Sequence, residues 1–190
     1  MTPAAFQEFR SELLGLCLAS IRHGIDTGRV IRIDPDAFDP ALKVLRATFV
    51  TLMKNGNLRG CIGSLQAIRP LVVDLARNAY ASAFSDPRFE QVSAKEMDAL
   101  HIQLSILSEP ETMNFSSESD LVKQLQPGID GLILEDSGRQ GTFLPSVWES
   151  FPEPRDFLNQ LKRKAGLAEN YWSDRIEIAR YSTETIAGPA

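Results

Sequence analysis

At 190 residues, with 43% apolar and 24% charged side chains, the sequence can bury a real core and has the balance of a water-soluble globular protein. A net charge of −5 argues against a general attraction to nucleic-acid phosphates, and no apolar run is long enough to cross a bilayer. Cys17 and Cys61 are too few for a disulfide framework.

The N-terminal residues MTPAAFQEFR lack the basic segment and apolar stretch of a secretory signal, so a cytoplasmic location is expected. Helical spacing follows at once, with Phe6, Phe9, Leu13, Leu16, Cys17 and Ile21 on one face. Thr2-Pro3 supplies a start and Gly24 a stop, and Cys17 falls on the buried side. VIRIDPDAFDPALKVL is broken by Asp34-Pro35 and Asp39-Pro40 and reads as a connector.

RATFVTLMK and LRGCIGSL flank Asn55-Gly56, a hairpin signal because both residues tolerate the positive φ of a tight turn. Leu71, Leu75, Ala79 and Ala83 then mark a helix rich in small residues, suited to lying close on a sheet. Asp86-Pro87 is a turn, and Ser93 with Glu96 forms a candidate capping box. Leu100, Ile102, Leu104 and Ile106 alternate as a strand with one covered face, expected to join the hairpin's sheet.

FSSESDLVKQLQPG predicts a short helix, GLILED a strand, SGRQG a turn and TFLP a returning strand. EPRDFLNQLKRKAG is a further helix, in which Lys162, Arg163 and Lys164 complement the dipole at its C-terminal end. DRIEIARYS reads as the last strand. Hairpins mixed with helices, without regular βαβ alternation, point to an α+β fold: a largely antiparallel β-sheet flanked by helices in a single domain over 1–190, with a small lobe around 115–165.

The chemistry-bearing residues gather near Cys61. A thiolate can act as nucleophile, and nearby positive charge favours it. Arg59 is two residues away and would project with Cys61 on an ideal strand unless a bulge intervenes. Equally, Cys61 can be a core thiol whose neighbours Gly60 and Gly63 let a helix approach. His101 can serve Cys61 as a base only if their strands are adjacent. Arg88 can hold a carboxylate or phosphate, or simply pair with Asp86 to fix the turn. No metal-ligand spacing, dinucleotide fingerprint, phosphate loop or nucleophile elbow occurs, so no metal is expected and no cofactor is named.

The run LRGCIG, Leu58 to Gly63, with FVTL before it and SDPRF, LSILSEPE, GIDGLIL and TFLPSVW after it, resembles the AMMECR domain family, also called AmmeMemoRadiSam system protein A. The resemblance covers residues 47–181. It implies a larger and a smaller subdomain around a cleft, with the hexapeptide near that cleft. It also implies a shared pathway with Memo-like and radical SAM proteins as partners. Carried over position by position, it implies functional roles for Leu58, Arg59, Gly60, Cys61, Ile62 and Gly63, and for Asp86, Pro87, Arg88 and Phe89. Cys61 and Arg59 are the catalytic candidates, and Leu58, Gly60, Ile62, Gly63, Asp86 and Arg88 the ligand-binding ones. His101 lies outside the family pattern. Two functions stay open: a small-molecule-binding or enzymatic component, and a regulatory adaptor that binds a protein partner. Nucleic acid is the less expected partner, and whether the protein is an enzyme is left undecided.

Overall fold

The computed structural model describes residues 5–189. In chain order the elements are α1 (Arg10–Thr27), β1 (Thr48–Lys54), β2 (Asn57–Gly63), α2 (Leu71–Phe84), β3 (Leu100–Leu107), β4 (Glu111–Thr112), α3 (Glu118–Gln124), β5 (Gly131–Asp136), β6 (Arg139–Phe143), α4 (Pro154–Lys164), β7 (Glu177–Tyr181) and β8 (Thr183–Pro189). They form two antiparallel four-stranded sheets flanked by helices, with strand orders β2-β1-β3-β8 and β4-β7-β5-β6. The architecture is α+β. Two compact units result, one built from the chain up to Leu107 together with the stretch from Glu184 onward, the other from Ser108–Thr183.

In the first unit the Asn55-Gly56 turn has φ of 51° and 77°, the left-handed pair that a two-residue hairpin requires. The hairpin it closes pairs Lys54 with Asn57 and continues to Phe49 opposite Gly63. β3 lies on the other side of β1, with Thr51 opposite Gln103 and Met53 opposite His101. Val50 and Leu52 of β1 and Leu100, Ile102, Leu104 and Ile106 of β3 face inward and pack with Leu13, Cys17, Ile21, Leu71, Leu75 and Ala79. Helices of this length are marginal alone, so this burial, worth about 1.5–3 kcal/mol per large side chain, holds them.

α1 departs from the sequence reading at its end. The helix runs past Gly24 to Thr27 and stops at Gly28, whose φ of 68° gives a left-handed cap. Gly24 serves packing instead, since a Cβ there would lie 2.3 Å from the Phe84 ring. Thr2 and Pro3 lie outside the described residues. The connector holds two single turns, Pro35–Ala37 and Pro40–Leu42, each capped by the preceding aspartate.

The second unit has its own core, in which Leu121, Leu132, Leu134, Phe157, Leu158, Leu161 and Ile178 are buried. The hairpin and helices expected around 115–165 fall inside it. The turn between β5 and β6 is tighter than SGRQG suggested, with only Ser137 and Gly138 between the strands. The basic run at the end of α4 is not uniformly a solvated helix end. Lys162 is fully buried, with its ammonium on the Glu118 carboxylate, on the Glu169 carbonyl at 2.9 Å and 5.6 Å from the centre of the Trp172 ring. Arg163 pairs with Glu169 at 2.6 Å.

β7 is not the last strand. The chain returns to the first sheet as β8, placing Glu184, Ile186 and Gly188 inward. A glutamate and a glycine at inward positions conceal the alternation in the sequence. The Glu184 carboxylate is satisfied by the Phe6 N–H at 3.0 Å.

Candidate functional site

The hexapeptide occupies β2, the edge strand of the first sheet. Leu52 stands opposite Gly60 and Met53 opposite Leu58, so Arg59 is the extra residue of a β-bulge. The bulge separates the two catalytic candidates. Arg59 donates from Nε to Glu96 at 2.9 Å and from Nη1 to the Glu90 carbonyl at 2.8 Å, and Lys54 reaches the same Glu96 oxygen at 2.8 Å. The Cys61 Sγ lies 3.3 Å from the Thr51 hydroxyl. Lys54 and Thr51 are three apart on β1 and therefore on opposite faces, so Arg59 and Cys61 point to opposite sides of the sheet.

Glycine at 60 and 63 answers to sterics. A Cβ on Gly60 would stand 2.1 Å from the Ser82 carbonyl of α2, and one on Gly63 2.3 Å from the Phe49 ring. The close approach at Gly60 brings the Ser82 hydroxyl into the seam between strands. It accepts the Ile62 N–H at 2.9 Å and donates to the Val50 carbonyl at 2.7 Å, relaying a hydrogen bond between two register partners. Just beyond β2, the Ser64 hydroxyl donates to buried Asp74 at 2.6 Å. Asp74 also accepts from the Thr48 backbone and hydroxyl and from Asn78, each at 2.9 Å.

The outer edge of β2 is closed by the Asp86-Pro87-Arg88 turn. Asp86 accepts the Cys61 N–H at 2.9 Å, while Arg88 Nη2 lies 3.4 Å from the Cys61 carbonyl. An acceptor for the N–H and a donor for the C=O of one residue are what a neighbouring strand would present. Arg88 grips Asp86 with both arms, Nε at 2.9 Å and Nη2 at 2.7 Å. That bond is the main cause holding the Asp86 carboxyl well below the usual carboxylate range, and it raises Arg88 in turn. Asp86 is buried, whereas the Arg88 side chain remains 55% exposed and rests 5.3 Å from the Phe89 ring centre. Glu96 is likewise held low, chiefly by Arg59 and then by Lys54.

Cys61 is half-buried, and Cys17 is fully buried with its thiol pushed up to about 12 by burial. His101 is exposed on β3, two strands from Cys61 across β1, a lateral distance of about 10 Å. It is out of reach as a base for the thiol. Leu58 is 40% exposed beside the turn, and Ile62 and Gly63 are half-buried. Among the described residues no three His, Cys, Asp or Glu side chains gather as a metal set, and no helix is long and apolar enough to cross a membrane.

The structure thus joins Cys61, Asp86 and Arg88 and takes Arg59 away from them. Thr51, Ser82 and the ionic role of Glu96 escape sequence reasoning, because each depends on which strand lies beside which. The capping box did flag Glu96: its carboxylate also accepts the Ser93 N–H at 3.0 Å.

The family model for AMMECR1 matches residues 14–186. A protein of Methanothermobacter thermautotrophicus is 36% identical over 152 residues, which cover 79% of this chain and 79% of that protein. One from Thermotoga maritima is 36% identical over 166 residues, covering 86% and 90%. Among solved structures, the uncharacterized protein PH0010 from Pyrococcus horikoshii matches with a TM-score of 0.85 and 32% identity over 94% of this chain and 90% of that one. By the extent of these matches, the chain belongs to the AMMECR1 family.

Proposed function

We propose that the protein is a small-molecule-binding or enzymatic component, acting in a pathway with Memo-like and radical SAM proteins. In this reading the Cys61 thiol touches the ligand and Arg88 orients an anionic group on it. The observation that carries the reading is the exposure of Arg88 beside a half-buried thiol. Its Nε and Nη2 are committed to Asp86, which leaves the Nη1 edge of the fork for an incoming carboxylate or phosphate. Arg59 is given no part in it, because Glu96 and a backbone carbonyl engage its guanidinium on the other face.

Metabolite profiling tests the proposal in strains carrying wild type, Cys61→Ser, Arg88→Lys or a full deletion. Cys61→Ser is expected to reproduce the deletion profile, and Arg88→Lys to move partway toward it. A Cys61→Ser profile matching wild type would overturn the role of the thiol. A second reading, a non-enzymatic adaptor, draws on the exposed apolar residues Leu45, Leu58 and Ile68.

A further inference from the structure

Because β2 is an edge strand, half of its main-chain groups face away from β1. The Ile62 N–H binds the Ser82 hydroxyl that also meets the Val50 carbonyl, and the Ser64 N–H donates to the Thr48 carbonyl at 3.0 Å. Residues 62 and 64 therefore bond toward β1, and residues 61 and 63 turn their N–H and C=O groups outward. On β1 the alternation agrees. The Leu107 N–H donates to the Ala47 carbonyl at 3.0 Å, so Ala47 and Phe49 bond toward β3 and not toward Gly63.

At Cys61 both outward groups are met, the N–H by Asp86 and the carbonyl by Arg88. At half-buried Gly63, two residues on, no group of the described residues meets either one. The edge there presents one donor and one acceptor, spaced to pair with a single residue of extended chain.

We infer that Gly63 and Arg88 seat an α-amino carboxylate, an amino acid with its nitrogen free or acylated, held as one antiparallel residue against the β2 edge. The inference rests on the function proposed above and names the ligand class of that site. A residue opposite Gly63 accepts the Gly63 N–H with a carboxylate oxygen and donates its own N–H to the Gly63 carbonyl. Run antiparallel, its carboxylate end points along the edge toward Cys61, where Arg88 Nη2 lies 3.4 Å from the carbonyl. The second carboxylate oxygen then faces the Nη1 side of the guanidinium, whose Nε and Nη2 are held by Asp86. Its α-substituent stands on the sheet face shared by Gly63 and Cys61, diagonal to the thiol and within a long side chain's reach. Selection comes from the positions of donor and acceptor and not from net charge, because Asp86 already balances Arg88. That balance disfavours a phosphate dianion, which also has no N–H for the Gly63 carbonyl.

The test titrates isotope-labelled full-length protein with glycine and with N-acetylglycine, followed by amide proton and nitrogen shifts. Comparators are N-acetylsarcosine, which lacks the N–H, N-acetylglycinamide, which lacks the carboxylate, and inorganic phosphate. The tighter of the first two is expected to move the Gly63 amide proton downfield and to bind at least about threefold better than any comparator. Which of the two it is shows whether the seat takes the nitrogen free or acylated. Arg88→Gln and Arg88→Lys should each weaken that binding at least about threefold, and the wild-type titration decides the matter by itself if either variant folds poorly. An unmoved Gly63 amide, shifts centred elsewhere, a comparator that binds equally well, or unchanged affinity in both folded Arg88 variants would each overturn the inference. The metabolite experiment turns on the thiol, so the two results separate. A silent Gly63 amide beside a deletion-like Cys61→Ser profile overturns this inference alone, and a moved Gly63 amide beside a wild-type profile overturns the role of the thiol alone.

Discussion

Gly60 and Ser82 are in such close contact that a single methyl group on residue 60 would stand 2.1 Å from the Ser82 carbonyl oxygen. The obstacle is helix backbone, which cannot rotate away as a side chain would. Gly60→Ala should therefore cost at least about 2 kcal/mol of stability. Cys61→Ser, which keeps a small side chain beside Thr51, should remain within about 1 kcal/mol of wild type. Urea unfolding of both variants checks the pair, and an unperturbed Gly60→Ala would show that α2 can retreat from the sheet.

Arg59 and Glu96 form an ion pair between side chains only 14% and 16% exposed, with Lys54 on the same carboxylate. A double-mutant cycle with Arg59→Met and Glu96→Gln should return a coupling of about 1–3 kcal/mol. Neither variant should change the rate at which Cys61 is alkylated, since Arg59 faces the other side of the sheet. A slowed alkylation in Arg59→Met would restore Arg59 to the thiol's surroundings.

The two cysteines should differ sharply toward iodoacetamide under native conditions. Cys61 is half-buried and Cys17 is sealed, with its thiol pushed up to about 12 by burial. Mass spectrometry is expected to find carbamidomethylation at Cys61 first, with Cys17 modified only once the chain unfolds. Equal labelling of both would contradict the placement of α1.

Acid should act on the molecule in two opposing ways. Asp86 and Glu96 are held below their ordinary range by arginine partners. Their contribution to stability is complete above the unfolded carboxylate value of about 4 and is lost as the pH falls through the folded one. Asp86→Asn should thus be less stable at neutral pH and lose less on acidification. Glu184 has the opposite sign, because burial raises it, so its contribution is complete below the unfolded value and is lost as the pH rises. Glu184→Gln should gain on wild type between about pH 4 and pH 7. Thermal melts across that range read both slopes, and parallel slopes for wild type and variants would refute the assignments.

Much of the fold is legible in the residues because the signals are local. Asn55-Gly56 specifies its own turn, Leu100 to Ile106 alternate cleanly, and Ser93 with Glu96 marks a cap. β8 is hidden because its inward positions hold a glutamate and a glycine, whose fitness depends on Phe6 and α1 far away in sequence. The site divides in the same way. LRGCIG and DPRF announce themselves, and the two glycines rightly suggested close approach. That Arg59 bulges out, that β1 separates His101 from Cys61, and that DPR closes the β2 edge follow only from which segments become neighbours.

The first sheet is finished by β8, which follows the whole second unit in the chain. Until it arrives, β3 has an open flank, and the whole Ser108–Thr183 unit must already have left the ribosome. The contact at the base of that unit, where the Ser108 N–H meets the Ser182 carbonyl at 2.9 Å, brings the returning chain back to its point of departure. Premature termination anywhere in the second unit would therefore leave an uncovered strand in the first, the kind of surface that recruits other chains into aggregates.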